Sequence, residues 1–242
     1  VTEEIQVKII GVSGSPRKGA TQYAVREALQ SAEEVPGVST EFIDLRGKKL
    51  GFCNHCNRCV REGIRHCVGN KEDDLTPEIY AKMTEADGFV FGSPVYQMTM
   101  SAQLQAFINR LRPIAPLIRE GHWASRVGGA IAVGGTRHGG QETTLLAINN
   151  FFLCTGMVSV SGGVYAYNGG AIWSQDKKEE GAHDDLVGIE TVRVLGRRVA
   201  FTAKMLKAGA ERLSRDFEPL RFTGLRGQAD VDRRAQRFAN QE

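Results

Sequence analysis

The sequence predicts a doubly wound α/β fold, one parallel sheet with helices on both faces, and three observations carry that expectation. Short β-branched runs alternate with segments whose apolar residues recur at helical spacing, the pattern of parallel strands joined by right-handed crossovers. The 28 glycines fall mostly at the ends of the apolar runs, where strands turn into loops. The chain of 242 residues is long enough to bury about 70–75% of its unfolded surface without metal or disulfide staples, so folding alone does not explain its cysteines.

Val7 to Val12 is a β-branched run ended by Ser13-Gly14-Ser15-Pro16, a buried strand entering a tight loop. From Thr21 the period changes: Ala24, Val25, Ala28, Leu29 and Ala32 recur at helical spacing, with Thr21 as the expected N-cap. Val38 to Ile43 is a second strand and Phe89 to Ser93 a third. Between them lie a loop with four cysteines and a helix from about Thr76 to Glu85, with Pro77 at its first position. Leu104, Phe107, Ile108 and Leu111 mark the next helix, which Pro113 interrupts. Val127 to Val133 is a fourth strand, running into a loop from Gly134 to Gly140. A helix follows with Leu145, Ile148 and Phe152 on one face. Met157 to Val160 is a fifth strand, and a long Gly/Tyr loop leads to a helix from about Asp185 to Ala208.

Five strands suit a flavodoxin-like wind of order 2-1-3-4-5, in which the loops after the strands share one rim and ligands bind between strands 1 and 3. Residues 1–208 then form the domain, with the cysteine loop at 51–70. Residues 209–242 are expected to be an arm outside the core: Arg212, Arg215, Arg221, Arg226, Arg233, Arg234 and Arg237 are mixed there with acids and few apolar groups.

Composition sets the class. Hydrophobic residues make up 41%, charged residues 24%, and the mean hydropathy is −0.27, values of an ordinary globular protein. The apolar runs are too short to span a membrane. Val1 to Val7 carries two glutamates and no basic stretch ahead of an apolar core, so no secretory leader and a cytoplasmic location are expected. A net charge of +3 without a basic, aromatic-interleaved stripe gives no reason to expect nucleic acid.

The segment from Gly14 to Thr21 joins a strand to a helix N-terminus, where free N–H groups and the helix dipole favour an anion. It nearly fits the nucleotide loop G-x-x-x-x-G-K-[ST], but alanine stands at position 20 in place of the lysine. The glycines at 11, 14 and 19 do not give G-x-G-x-x-G either. What remains is a cradle of hydroxyls (Ser13, Ser15, Thr21) plus Arg17, suited to one phosphate monoester such as that of FMN; the alternative is a plain Gly/Ser/Pro turn.

Three segments together, Val12 to Thr21, Gly92 to Leu104 and Gly134 to Thr143, resemble the NADPH-dependent FMN reductase and flavodoxin-like superfamily. The resemblance implies that Ser13, Ser15, Arg17, Lys18 and Thr21 hold the FMN phosphate. It implies ring contacts from Pro94, Val95, Tyr96, Gly135, Thr136, Arg137 and Gly140. Tyr96 as a surface aromatic and Arg137 as a solvated charge are the ordinary alternatives.

Cys53, Cys56, Cys59 and Cys67 form C-x2-C-x2-C-x7-C. Paired disulfides are disfavoured in a reducing compartment. Zinc usually takes two C-x2-C pairs with a long spacer, whereas three cysteines at successive intervals of three resemble the compact run that wraps a 4Fe-4S cluster. The cluster is favoured over zinc and over a redox-switching thiol set. His55 and His66 are expected to neighbour the ligands or to be solvated, and Cys154, in an apolar run, to be a buried structural thiol.

An FMN domain with such a loop after its second strand is similar to the iron-sulfur flavoproteins of anaerobic archaea and bacteria. The resemblance implies FMN and one 4Fe-4S cluster per subunit, a homodimer or homotetramer, and electrons taken from a ferredoxin-like donor. The cysteine loop and the flavin motifs all follow strands, so cluster and flavin are expected to face the same side, either on one rim within a subunit or across an interface that brings two such rims together. Two other readings stay open: an NAD(P)H-dependent FMN or quinone reductase with a structural metal loop, and a non-enzymatic sensor or binding module that uses the Arg-rich arm.

Overall fold

The structure, a computed structural model, describes residues 4–69 and 73–213. The strands are β1 (Val7–Ser13), β2 (Val38–Asp44), β3 (Gly88–Pro94), β4 (Val127–Gly134), β5 (Val158–Val160) and β6 (Gly170–Trp173). The helices are α1 (Ala20–Glu33), α2 (Arg58–Arg61), α3 (Pro77–Glu85), α4 (Ala102–Arg110), α5 (Ala115–Arg119), α6 (Gln141–Cys154), α7 (Lys178–Asp184) and α8 (Leu186–Arg212), with a 3-10 turn over Arg112–Ile114.

The sheet is parallel throughout, in the order β2-β1-β3-β4-β5. One element departs from the five-strand expectation. The fifth position is filled by two short strands, β5 against Val127 to Gly129 and β6 against Ile131 to Gly134. The Gly/Tyr segment between them leaves the sheet and turns where Gly163 and Ala166 form an isolated antiparallel bridge.

β3 and β4 are buried along their whole length, as central strands of a covered parallel sheet should be. Alternation along β1 divides the core. Ile10 and Val12 join Phe89 and Phe91 under α3, α4 and α6, while Val7 and Ile9 join Val90 and Ile131 under α1 and α8. On the second face α8 lies so close to α1 that a Cβ on Gly196 would stand 2.1 Å from the Ala28 carbonyl oxygen. The predicted long helix extends to Arg212, four residues past the expected boundary. It is capped by Asp185, whose carboxylate accepts the Gly188 N–H at 3.0 Å. The other arginines of the arm lie outside the described residues.

Candidate functional site

The loops that follow β1, β3, β4 and β6 converge on one cleft of about 400 Å³. Its first wall is the segment after β1. The Ser15 hydroxyl donates to the Arg17 carbonyl at 2.7 Å and accepts the Arg17 N–H at 3.1 Å, folding the loop into a turn. Ser15, Arg17, Lys18 and Thr21 all reach the cleft, the two cations exposed and the two hydroxyl residues buried. Gly19, not Thr21, is the N-cap of α1. Its φ of 152° suits only glycine, so the helix starts two residues earlier and Thr21 becomes its second residue. Among the described residues no side chain caps this end, which leaves its N–H groups and the positive pole of a 14-residue helix beside Arg17 and Lys18. Ser13 sits off the cleft wall. It is fully buried, and its Oγ has no hydrogen-bond partner among the described residues.

The second wall is Pro94, Val95 and Tyr96. The Val95 N–H donates to Val133 O at 2.9 Å, and Tyr96 and Thr99 exchange backbone bonds at 2.9 and 3.1 Å. Gln97 and Met98 between them have left-handed φ of 49° and 64°, a tight two-residue turn that presents Tyr96. Of the residues expected after β4, Gly135 lines the cleft, and Thr136, Arg137 and Gly140 stand behind it. The Thr136 carbonyl accepts from Gln141 Nε2 at 2.8 Å, the Arg137 guanidinium lies 4.0 Å over the Trp173 ring, and Gly140 is the N-cap of α6. These three shape the loop rather than form its wall.

The sequence reading misses Ser174, Asp176 and Lys178, which close the cleft from the segment after β6. Gln175, Asp176 and Lys178 all have left-handed φ, between 53° and 57°, a cluster of strained non-glycine backbone. A Cβ on Gly135 would stand 2.1 Å from Asp176 Oδ1, so Asp176 owes its place to that glycine. Trp173 Nε1 donates to Gly135 O at 3.0 Å and fastens the two loops together. The signal for this wall is the four-residue run Gly170 to Trp173, a strand whose following loop must emerge on the same rim.

The four cysteines line a separate small hollow together with Arg110, Arg112 and Pro113. Cys59, on α2, is buried; burial and then the neighbouring Cys67 hold its thiol above the ordinary range, and Cys56 and Cys53 push the same way. A Cβ on Gly69 would stand 3.7 Å from Cys56 Sγ and 3.9 Å from Cys67 Sγ, ordinary van der Waals contact, so the close of the loop lies beside both sulfurs. The loop is shaped by left-handed backbone at His55 and Asn57 and pinned by Arg112, whose Nε and Nη2 donate to Asn57 Oδ1 at 2.8 and 2.6 Å. Among the described residues no group of three or more His, Cys, Asp and Glu side chains closes on a single-ion geometry. His55 is exposed and His66 half-buried.

Two expectations change here. Cys154 is exposed: Phe151 and Phe152 turn into the core, and the last residue of α6 faces out beside Cys53 and His55 in a surface groove. The hollow also does not share the rim of the cleft. It packs against the C-terminal end of α4, whereas the cleft loops meet its N-terminal end at Ser101, about 13 Å away along a helix of nine residues. The chain between Leu45 and Cys53 carries the loop down the side of the domain, where Gly51 O accepts from Arg110 Nη1 at 2.8 Å.

Among the described residues no helix is long and apolar enough to cross a membrane. The profile of the family described as NADPH-dependent FMN reductase matches residues 7–171. An iron-sulfur flavoprotein of Methanocaldococcus jannaschii is 44% identical over 204 residues, covering 83% of this chain and 100% of its own. Another, of Archaeoglobus fulgidus, is 39% identical over 193 residues, 79% of this chain and 95% of its own. Among solved structures, the flavodoxin WrbA-like protein of Agrobacterium tumefaciens matches with a TM-score of 0.59 at 20% identity, over 83% of this chain and 99% of that one, a likeness of fold. With a flavodoxin-like wind, a cleft at its switch point and these relatives, the chain belongs to the iron-sulfur flavoproteins of the FMN reductase family and is an FMN-dependent oxidoreductase.

Proposed function

We propose that the protein passes electrons from a one-electron donor such as a ferredoxin-like protein to an acceptor, using a 4Fe-4S cluster and FMN. The observation that carries this reading is the pairing, in one domain, of an anion-binding cleft with a hollow lined by four cysteines. A cluster exchanges single electrons and a flavin one or two, so together they convert between the two.

The residues present suit both groups. Arg17, Lys18 and the uncapped start of α1 are a dianion site, and the buried Ser13 Oγ, at the end of β1, has no hydrogen-bond partner among the described residues. Pro94, Val95, Tyr96 and Gly135 give a wall of largely apolar side chains for a ring, which Thr136, Arg137 and Gly140 hold in place. Cys53, Cys56, Cys59 and Cys67 are soft ligands on one short loop, the ligand type and spacing of a compact cluster. Because the hollow and the cleft lie at opposite ends of α4, the electron path runs along that helix or across an interface in a homodimer or homotetramer.

The family's description favours a second reading, direct reduction of FMN by NADPH. An anaerobic absorption spectrum with iron, sulfide and flavin analysis tests the first. Four irons and four sulfides per FMN are expected, with bleaching by reduced ferredoxin and none by NADPH; a flavin without iron, bleached by NADPH, would support the second.

A further inference from the structure

Arg110, at the C-terminal end of α4, is 1% exposed, yet its Nε and Nη2 are buried without a hydrogen-bond partner among the described residues. Unsatisfied donors on a buried cation are costly and rare. The rest of the side chain is firmly held. Nη1 donates to Gly51 O at 2.8 Å and pairs with the buried Asp73 carboxylate, which also accepts the Leu75 N–H at 3.1 Å. Tyr80 Oη donates to the Arg110 carbonyl at 2.9 Å. The guanidinium lines the hollow of the four cysteines, and Cys67 is among the charges that bear on it.

We infer that Arg110 is the positioning residue that sets the reduction potential of the group held by the four cysteines, its Nε and Nη2 donating to sulfur there and its charge favouring the reduced state. The inference rests on the cluster reading above. Reduction places one electron, supplied by an external one-electron reductant, on the thiolate-ligated cluster and makes it one unit more negative. A fixed cation in a poorly solvated site stabilises that product more than the oxidised form, and hydrogen bonds to sulfur act in the same direction. Asp73 opposes it, because its carboxylate cancels part of the guanidinium field. The two members of one ion pair therefore push the potential in opposite directions, which a purely structural role would not produce.

The test is a dithionite titration of the holoprotein, followed by electron paramagnetic resonance of the reduced cluster, with iron and sulfide counted in every sample. Arg110→Met is expected to reduce at a more negative potential, by at least a tenfold change in the one-electron equilibrium, about 59 mV per tenfold. Arg110→Lys should recover most of that shift, and Asp73→Asn should move the potential the other way. Equal potentials in wild type and Arg110→Met with iron and sulfide intact, or shifts of one sign in Arg110→Met and Asp73→Asn, would overturn the inference. If Arg110→Met does not keep its iron, Asp73→Asn decides alone: a more positive potential supports the role, and an unchanged or more negative one overturns it. A wild-type protein without iron and sulfide would overturn the cluster reading itself, and this inference with it.

Discussion

The Ser101 hydroxyl donates to the Gly14 carbonyl at 2.6 Å and accepts the Leu104 N–H at 3.2 Å. One oxygen thus caps α4 and fastens the loop after β1 to the segment after β3, the two sides of the topological switch point. Two further bonds at 2.8 Å brace the joint, Ser101 N–H to Ser93 Oγ and Gly14 N–H to Gly92 O. The cleft takes one wall from each of these segments, the proposed phosphate wall from the first and the proposed ring wall from the second, so its shape depends on this joint.

Ser101→Ala removes the cap and leaves the buried Gly14 carbonyl one partner short, a combined cost of about 1–3 kcal/mol. FMN affinity should fall with stability, because both walls loosen. Urea unfolding and FMN titration of the variant check this; an unchanged midpoint with unchanged affinity would show that the joint does not govern the cleft.

Arg17→Ala should weaken FMN binding without unfolding the domain, since Arg17 is exposed and among the described residues its hydrogen bonds are made by its backbone. The loss of one charge-assisted phosphate contact is worth about 1.5–3 kcal/mol, roughly ten- to hundredfold in affinity. Riboflavin, which lacks the phosphate, is the control: its affinity should be the same in both proteins. Equal FMN affinity in variant and wild type would remove Arg17 from the phosphate site.

What could be read in the sequence follows the range of the interactions involved. β1, β3 and β4 are mostly apolar runs, broken in β1 by Lys8, with glycine at or near their ends, and the loop from Gly14 to Thr21 is contiguous, so local pattern sufficed to place both. The split fifth strand did not show, because three residues of β5 and four of β6 are too short for periodicity to register. Ser174, Asp176 and Lys178 went unnoticed for the same reason, since a loop is assigned to the rim only once its strand is known. Cys154 was misjudged because an apolar run at a helix end can face either way. The descent of the cysteine loop to Arg110 joins residues 59 positions apart, and a buried arginine at the end of an amphipathic helix has no signature in sequence.

Truncation after Leu213 should leave FMN, iron and sulfide content intact. α8 ends at Arg212, and among the described residues all those lining the cleft and the hollow lie N-terminal to it. Cofactor analysis of the truncated protein, with light scattering for its assembly, checks the assignment of 209–242 as an arm outside the domain. Loss of either cofactor would move the boundary.

The last prediction separates a relay from a structural cysteine loop. Cys59 is the buried member of the four, on α2, and the cleft is built from the loops after β1, β3, β4 and β6, none of which includes it. Cys59→Ala should therefore keep FMN and lose iron and sulfide. With the hollow about 13 Å along α4 from Ser101, removal of the cluster leaves the flavin wall of Pro94, Val95 and Tyr96 undisturbed. Dithionite, a small reductant that reaches the flavin from solvent, should still reduce it. A ferredoxin donor should not, because in the proposed relay its electron enters at the thiolate-ligated group before it reaches the flavin. Anaerobic stopped-flow absorbance of wild type and variant, with each reductant in turn, reads both outcomes. Ferredoxin-driven flavin reduction at the wild-type rate in the iron-free variant would refute the relay and leave the cysteine loop a structural role.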